Sequence, residues 1–186
     1  MRRDLGAGNI LYTDTFFPYS INKNEKFMHR TLIGIGGNLG DVKRRFKKLF
    51  LWLKRSPYVQ VIRTSNILKN PPFGFIEQAS FFNALIELST NLSPKKLLHY
   101  LLSIEKRFGR VRSFKNAPRT LDLDIIFYDS INYKDDKLTI PHPAWQERES
   151  VIIPLSHMPK QYKYGSFTRE PYAKEPFFSF DRKGMS

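Results

Sequence analysis

The sequence predicts an α+β fold in which two helices pack on one face of an antiparallel sheet. Three observations predict it: four segments rich in the apolar and β-branched residues typical of strands, two segments with apolar residues at helical spacing, and proline- or glycine-containing loops between them. Their order along the chain is β-α-β-β-α-β, the ferredoxin-like arrangement. The chain has 186 residues, 41% of them hydrophobic, which suits one domain with extensions at its ends.

The first half of this pattern begins with a short apolar run. Residues 31–35 form this run, and it overlaps a glycine-rich segment at residues 34–38. The two together predict a strand that leads into a tight turn. Asp41 then precedes a helix that ends before Pro57, and residues 58–65 predict a second strand because several of them are β-branched. The apolar stripe of the helix consists of Val42, Phe46, Leu49, Phe50 and Leu53.

The second half begins with an irregular segment. Two prolines in residues 70–74, NPPFG, remove backbone donors and fix φ, so regular structure is not expected there. Residues 81–88 predict a third strand, and a helix follows between Ser93, which can cap it, and Gly109, which closes it. Residues 121–128 predict the fourth strand. The stripe of the second helix is Leu97, Leu101, Ile104 and Phe108.

Both ends of the chain lie outside the pattern. We expect residues 1–29 to be an irregular N-terminal extension, residues 30–158 to be the functional domain, and residues 159–186 to be a basic, aromatic tail. The sequence has no cysteine, no apolar run that could span a membrane and no signal peptide at its start, so we expect a cytoplasmic protein. The formal net charge of +14 favours an anionic partner.

Two aspartates in the fourth strand are the strongest candidates for chemistry. Asp122 and Asp124 are two residues apart, so they share one face of the strand and lie roughly 6.6 Å apart along it. Carboxylates this close repel each other unless one is protonated or a cation lies between them. Mg²⁺ prefers such oxygens and completes its shell with water and phosphate. An isolated pair of this kind is more often a solvated face with nearby Arg or Lys partners.

The arginines near the aspartates favour phosphate chemistry. Arg119 stands just before the strand, and Arg110 and Arg112 lie shortly upstream. Guanidinium groups match phosphate oxygens, and phosphoryl transfer needs carboxylates, metal and cations in one place. The glycine-rich turn is not a nucleotide-binding loop, because Leu39 stands where G-x-G-x-x-G requires its last glycine and no G-K-S/T follows.

Six blocks, taken together, resemble the 6-hydroxymethyl-7,8-dihydropterin pyrophosphokinase family. They are IGIGGNLGD at 33–41, NPPFG at 70–74, FFNALIEL at 81–88, GRVR at 109–112, PRTLDLDIIFY at 118–128 and IPHPAWQERESVIIPL at 140–155. The resemblance covers roughly residues 31–158. It implies a three-layer α-β-α sandwich built on the ferredoxin-like core. It also implies transfer of pyrophosphate from ATP to 6-hydroxymethyl-7,8-dihydropterin, giving the pterin diphosphate and AMP, in folate biosynthesis.

The resemblance assigns roles to single residues. Asp122 and Asp124 match the ligands of two Mg²⁺ ions, and they are implied to be catalytic together with Arg110 and Arg112. The positions that match contacts to the co-substrate ATP are Glu105, Arg110, Arg119, His142 and Arg148. The positions that match the pterin site are Asn70, Pro71, Pro72, Phe73, Phe81 and Asn83.

The residues by themselves leave simpler explanations open at several of these positions. His142 lies between two prolines, where a turn residue is the simpler explanation, and Arg110 and Arg112 fit a solvated loop. Phe81 fits ordinary core packing, although strand alternation leaves either it or Phe82 free to face away from the core.

The sequence departs from the family at two positions. Many members have a tryptophan just before the G-P-R segment, where residues 115–117, KNA, stand here. Ser150 is near the expected place of a second aromatic that stacks on the pterin, and Trp145 or Phe73 is the candidate replacement.

The alternative function is that of a small basic RNA-binding module with the same core. The net charge and the aromatic, basic tail favour it. An RNP-type aromatic motif is missing, and two aspartates on a sheet face would repel a phosphate backbone unless a metal intervened. We therefore expect an enzyme that acts as a monomer, with no membrane partner and no specific nucleic acid.

Overall fold

The centre of the fold is one sheet of eight strands, with a separate pair of short strands beside it. The computed structural model describes residues 1–21, 26–72, 78–111 and 117–159. The strands in these ranges are β1 (Arg2–Gly6), β2 (Asn9–Tyr12), β3 (Tyr19–Ser20), β4 (His29–Gly37), β5 (Val59–Thr64), β6 (Ile67–Asn70), β7 (Phe81–Thr90), β8 (Asp122–Tyr128), β9 (Tyr133–Lys134) and β10 (Thr139–Ile140). The helices are α1 (Val42–Lys54), α2 (Pro94–Arg107) and α3 (Glu149–Ser156), and a short 3-10 helix (Trp145–Glu147) precedes α3.

The four strands predicted from the sequence form the middle of the sheet. β8 pairs with β4, β4 with β7, and β7 with β5, all of them antiparallel. Helices α1 and α2 join these strands in the order β-α-β-β-α-β, so the predicted ferredoxin-like core is confirmed. The long strand β7 pairs with β6 through its first residues and with β5 through its later ones.

Helices α1 and α2 cover one face of the sheet through the stripes that the sequence predicts. All five stripe residues of α1 are buried, and the Asp41 side chain caps the helix by accepting a hydrogen bond from the Arg44 N–H. In α2, Pro94 stands in the first turn and Gly109 follows the helix with a φ of 78°. Ser93 occupies the N-cap position, but its side chain makes no capping hydrogen bond.

Helix α3 covers the opposite face and completes the three layers. Val151 packs with Leu32, Leu85 and Ile126 of the sheet in a second, smaller apolar cluster. This helix was not predicted, because it has eight residues, lacks a capping side chain and contains Pro154. No helix in the described ranges is both long and apolar enough to cross a membrane.

The expectation that residues 1–29 are irregular was wrong. β1 and β2 form a hairpin whose second strand pairs with β6, and β3 pairs with β5. These strands are short, and their partners lie far along the chain, so no local pattern marks them. The boundaries of the functional domain stay a prediction.

Residues 70–74 were expected to lack regular structure, and this is wrong for the first of them. Asn70 ends β6, a strand of four residues that the sequence pattern did not predict. Only two of its residues are apolar, so its alternation is too short to recognise, and pairing with both β2 and β7 stabilises it instead. Pro71 and Pro72 follow the strand, as their missing N–H groups require.

A buried cluster of charged side chains joins strands β4, β5 and β7. Glu87 is fully buried on β7, and it accepts hydrogen bonds from Arg30 of β4 and Arg63 of β5. Arg63 also donates to the Pro159 carbonyl oxygen at 2.7 Å. Because both guanidinium groups share this one carboxylate, removing it would take a counter-ion from two largely buried positive charges.

We predict that Glu87→Ala lowers the free energy of unfolding by about 3–5 kcal/mol, because both arginines lose their counter-ion. Urea denaturation followed by circular dichroism measures the change. Glu147→Ala is the matched control, since this exposed glutamate loses the same charge and its removal should shift stability by less than about 0.5 kcal/mol. Equal stability of the two variants would show that the cluster does not stabilise the fold.

Candidate active site

The pairing of β4 with β8 sets the position of the two aspartates. Asp122 lies opposite Gly36 and Asp124 opposite Gly34, so both carboxylates and both glycines share one face of the sheet. Leu123 lies on the other face, in the core beneath the helices. The two glycines bring no side chain to this face, and neighbouring side chains approach the backbone there: a Cβ atom on Gly34 would stand 3.2 Å from Cδ1 of Ile126.

Asp122 is held by two arginines. Its Oδ1 pairs with Nη1 of Arg110, and its Oδ2 accepts a hydrogen bond from Nη1 of Arg119 at 2.6 Å. Arg110 also pairs with Glu105 on α2, and that carboxylate accepts the Leu123 backbone N–H at 2.7 Å. Burial raises the pKa of Glu105, and the Leu123 N–H and the Arg110 charge oppose that rise.

Asp124 has a different environment. Its side chain makes no hydrogen bond or ion pair with any described residue. Burial, followed by the negative charge of Asp122, raises its pKa above the ordinary value, and the neighbouring His142, Arg148 and Arg110 act in the opposite direction. A half-buried carboxylate with no partner among the described residues is a good site for a divalent cation.

The donor set for a metal is small. Within the described residues, no group of three or more His, Asp or Glu side chains has the spacing of a metal site. Asp122 and Asp124 therefore fit Mg²⁺ in the way that substrate-dependent sites do, with one or two carboxylates from the protein and the other positions left to water and phosphate.

The predicted pterin residues begin on β7, with β4 between them and the aspartates of β8. Asn83 of β7 lies opposite Gly36, which itself lies opposite Asp122, so the three positions form a row across the sheet. Two strand spacings separate the ends of this row, about 10 Å. A Cβ atom on Gly36 would stand 2.8 Å from Oδ1 of Asn83, so only glycine leaves that amide in place.

Asn70 and Phe81 stand beside Asn83. Nδ2 of Asn83 donates to Oδ1 of Asn70 at 2.7 Å, and Asn70 pairs with Phe81 across the two strands. The Arg119 guanidinium lies 5.3 Å from the centre of the Phe81 ring. Phe82 packs instead against the core beneath the helices, so strand alternation does leave Phe81 free to face the site.

The remaining predicted residues lie around this face or outside the described part of the chain. Pro71 is exposed and Pro72 is half-buried, both just beyond the end of β6. Arg112 and Phe73 lie outside the described residues. Trp145, a candidate replacement for the missing pterin-stacking aromatic, packs edge to face against Phe127 with ring centres 4.8 Å apart, in the apolar cluster under α3.

His142 and Arg148 approach the site from the C-terminal side. The His142 N–H donates to the Ile126 carbonyl oxygen at 2.9 Å, which holds residue 142 beside β8. Arg148 is the exposed residue that immediately precedes α3. Both side chains lie near enough to Asp124 to oppose the rise in its pKa.

One buried residue that was not predicted from the sequence, Asn38, links Arg119 to the segment before β7. Oδ1 of Asn38 accepts the Arg119 N–H at 2.9 Å, and its Nδ2 donates to Oε1 of Gln78 at 2.9 Å. Asn38 directly follows β4, which extends through Gly37 where the sequence predicted a turn, and it is buried although it is polar. Its place in the conspicuous run GGN was the one local indication, because the partners lie 40 and 81 residues away.

Comparison with known proteins identifies the family. A sequence model of the family described as 7,8-dihydro-6-hydroxymethylpterin-pyrophosphokinase (HPPK) matches residues 32–160. The chain belongs to this family. A 2-amino-4-hydroxy-6-hydroxymethyldihydropteridine pyrophosphokinase from Helicobacter pylori is 40% identical over 159 residues, which are 84% of this chain and 98% of the relative. The protein of the same name from Campylobacter jejuni is 41% identical over 140 residues, 75% of this chain and 89% of the relative.

Family membership confirms the main predictions from the sequence. The protein is an HPPK-family enzyme, and it transfers pyrophosphate in folate biosynthesis. A further relative, the folic acid synthesis protein FOL1 of Dictyostelium discoideum, is 40% identical over 124 residues, which are 67% of this chain and 19% of that longer protein. The RNA-binding alternative is set aside. The roles of single residues and the number of metal ions stay predictions.

We predict that Asp124→Asn raises the melting temperature at pH 7 by roughly 2–5 °C. A neutral amide removes both the cost of burying the charge and the repulsion from Asp122. Because the folded-state pKa of Asp124 is raised, the wild-type penalty is present above that pKa and disappears as the pH falls below the ordinary aspartate range. The gain should therefore shrink on acidification, as measured by thermal unfolding at several pH values.

Asp122→Asn is the matched control for this prediction. It makes the same chemical change on the same face, but it removes the partner of Arg110 and Arg119, so the melting temperature should fall. If both variants melted lower than the wild type, the carboxylate of Asp124 would not be a destabilising group.

Proposed function

We propose that the row from Asn83 through Gly36 to Asp122 is the line along which the two substrates meet. Pterin would bind at the Asn83 end and the triphosphate of ATP at the Asp122 end. The observation that carries this proposal is the bare glycine between an amide on one side and a carboxylate pair on the other. The separation of about 10 Å suits a flat bicyclic ring whose hydroxymethyl group points towards the phosphates.

Asp122 and Asp124 would hold two Mg²⁺ ions together with phosphate oxygens. When bound, these ions would neutralise the triphosphate and stabilise the charge that develops during transfer. The carboxylate of Asp124 has no hydrogen-bond or ion-pair partner in the described part of the chain, and its pKa is raised; both support this role. A carboxylate pair without metal would instead repel an incoming triphosphate, so we expect nucleotide binding to depend on the divalent cation.

The arginines would bind the nucleotide without leaving Asp122. A guanidinium group carries five N–H donors, so Arg110 and Arg119 have donors to spare for phosphate while they keep their carboxylate partners. Glu105 would orient Arg110 rather than contact phosphate, because it already accepts from Arg110 and from a backbone N–H. His142 and Arg148 would approach the phosphates from the far side of Asp124.

The pterin would be bound by amides and an aromatic face. The Asn83 carboxamide offers both a donor and an acceptor, which matches the mixed edge of the heterocycle. Phe81 presents a ring that already holds a flat guanidinium group, so it suits a flat ring system as well. Asn70, Pro71 and Pro72 would line the same pocket. Phe73 and Arg112 belong to the proposal through the resemblance alone.

The reaction would join the two substrates in one displacement. The hydroxymethyl oxygen attacks the β-phosphorus of ATP, an oxygen–phosphorus bond forms, and the bond from that phosphorus to the oxygen shared with the α-phosphate breaks. AMP leaves, and the alcohol proton passes to solvent. The protein's main contribution is to align the groups and to balance charge, as phosphoryl transfer requires. A monomeric state and a cytoplasmic location remain parts of the proposal.

The first test is AMP release from ATP, measured with and without 6-hydroxymethyl-7,8-dihydropterin and with and without Mg²⁺. We expect release only when both are present, and we expect Asp124→Ala to reduce it at least about a hundredfold. Asp136→Ala, which removes an exposed aspartate, is the control and should keep wild-type activity. AMP formation at the same rate with and without the pterin would overturn the proposed substrate. Full activity of Asp124→Ala would overturn the proposed metal site.

A second prediction separates the two substrate sites. Arg148→Ala should raise KM for ATP about tenfold or more and leave KM for the pterin unchanged, because it removes a charge from the nucleotide side. Asn83→Ala should raise KM for the pterin and leave KM for ATP unchanged. Arg148→Lys should recover part of the ATP affinity, since it restores the charge without the planar fork. Steady-state kinetics with each substrate varied in turn decides the matter, and a shift of both KM values in either variant would contradict the division.

A further inference from the structure

The N-terminal hairpin lies outside the family match, which begins at residue 32, yet it adjoins the pterin end of the site. β2 pairs with β6 through Ile10 opposite Lys69 and Leu11 opposite Leu68. β6 in turn pairs with β7, where Asn70 lies opposite Phe81. Without the hairpin, β6 would be the edge of the sheet at this point, with one row of backbone groups unpaired.

The turn of the hairpin touches the segment that follows β6. If the register of β2 and β6 is continued by two residues, Gly8 falls opposite Pro71. A Cβ atom built on Gly8 would stand 2.9 Å from Cγ of the Pro71 ring, so the two residues are in close contact. Gly8 has a φ of +79°, and Gly6, on the other side of the turn, has a φ of +83° with nothing within 4 Å of its Cβ position.

The base of the same turn is tied to helix α3. Asn9 is only 5% exposed, and its Nδ2 donates to Oε2 of Glu149 at 3.2 Å. Its Oδ1 is buried without a hydrogen-bond partner. Glu149 is the first residue of α3 and follows Arg148, which belongs to the nucleotide side of the proposed site. The hairpin therefore contacts both the Asn70–Pro71 segment and the start of α3.

We propose that the hairpin β1–β2 positions the pterin site by holding Asn70 and Pro71 in place: β2 pairs with β6, Gly8 packs against Pro71, and Asn9 anchors the same turn to Glu149 of α3. This inference rests on the proposed function, because it assumes that these two residues line the pterin pocket. A segment fixed on both sides before the substrate arrives loses less conformational freedom on binding, so the pterin binds more tightly. The hairpin does not touch the reacting atoms, so it affects affinity for the pterin rather than the rate of transfer.

The test compares two alanine variants of one turn. Gly8→Ala and Gly6→Ala impose the same backbone strain, because both residues have positive φ, but only the first places a methyl group against Pro71. We expect Gly8→Ala to raise KM for 6-hydroxymethyl-7,8-dihydropterin roughly tenfold while kcat and KM for ATP stay within twofold. Gly6→Ala should leave kcat, KM for the pterin and KM for ATP unchanged. It should lower the melting temperature about as much as Gly8→Ala does.

Binding measured without turnover keeps this inference separate from the proposed function. Calorimetric titration of the pterin uses the full-length chain with Mg²⁺ and a non-hydrolysable ATP analogue. Wild-type protein that binds no pterin would overturn the proposed function, and this inference with it. Wild-type protein that binds pterin, with Gly8→Ala and Gly6→Ala equal to each other, would overturn the inference alone.

A second pair of variants decides the matter if Gly8→Ala does not fold. Asn9→Asp brings a negative charge against Glu149 and should weaken pterin binding, and adding Glu149→Gln should restore it because the repulsion is removed. Pterin affinity that is unchanged in Asn9→Asp, or that is not recovered in the double variant, would show that the hairpin does not act on the site through this contact.

Discussion

The register between β4 and β8 is the constraint on which the site depends. It sets glycine opposite each carboxylate, Gly36 opposite Asp122 and Gly34 opposite Asp124. Glycine inside a strand destabilises it by roughly 0.5–1 kcal/mol relative to alanine. The geometry explains why that cost is tolerated, since a side chain at Gly36 would collide with the Asn83 amide. A slip of one residue would turn both aspartates into the apolar core, so the core and the site require the same register.

Local charge and overall charge act in opposite directions at this site. Arg110 and Arg119 pair with Glu105 and Asp122, whereas the carboxylate of Asp124 has no ion-pair partner among the described residues. That carboxylate favours a divalent cation. The whole protein carries a net charge of +14, which favours an anionic partner. The proposed metal and the proposed triphosphate would each match one of these two charges.

The sequence predicted those helices and strands whose apolar residues recur at a regular spacing within the element itself. The stripes of α1 and α2 and the alternation around Asp122 and Asp124 are local, so the core order and the shared face of the carboxylates followed from them. The hairpin, β6 and α3 depend on partners distant in the chain, and their local patterns are short or interrupted by proline. The same limit applies within the site, because the side-chain partners of Asn38 are Arg119, Gln78 and Ala79, all distant in the chain.

A single strand, β8, changes character along its length. Asp122 and Asp124 occupy its first half, and Ile126 and Phe127 occupy the same face further on, where α3 covers the sheet. A register shift between Leu32 and Ile33 of β4 separates the two halves and admits one extra residue in β8. Because of that bulge, Ile126 and Phe127 both reach the cluster under α3, while the aspartates keep strict alternation. The bulge therefore marks where the part of this face that packs under α3 ends and the part that carries the two aspartates begins.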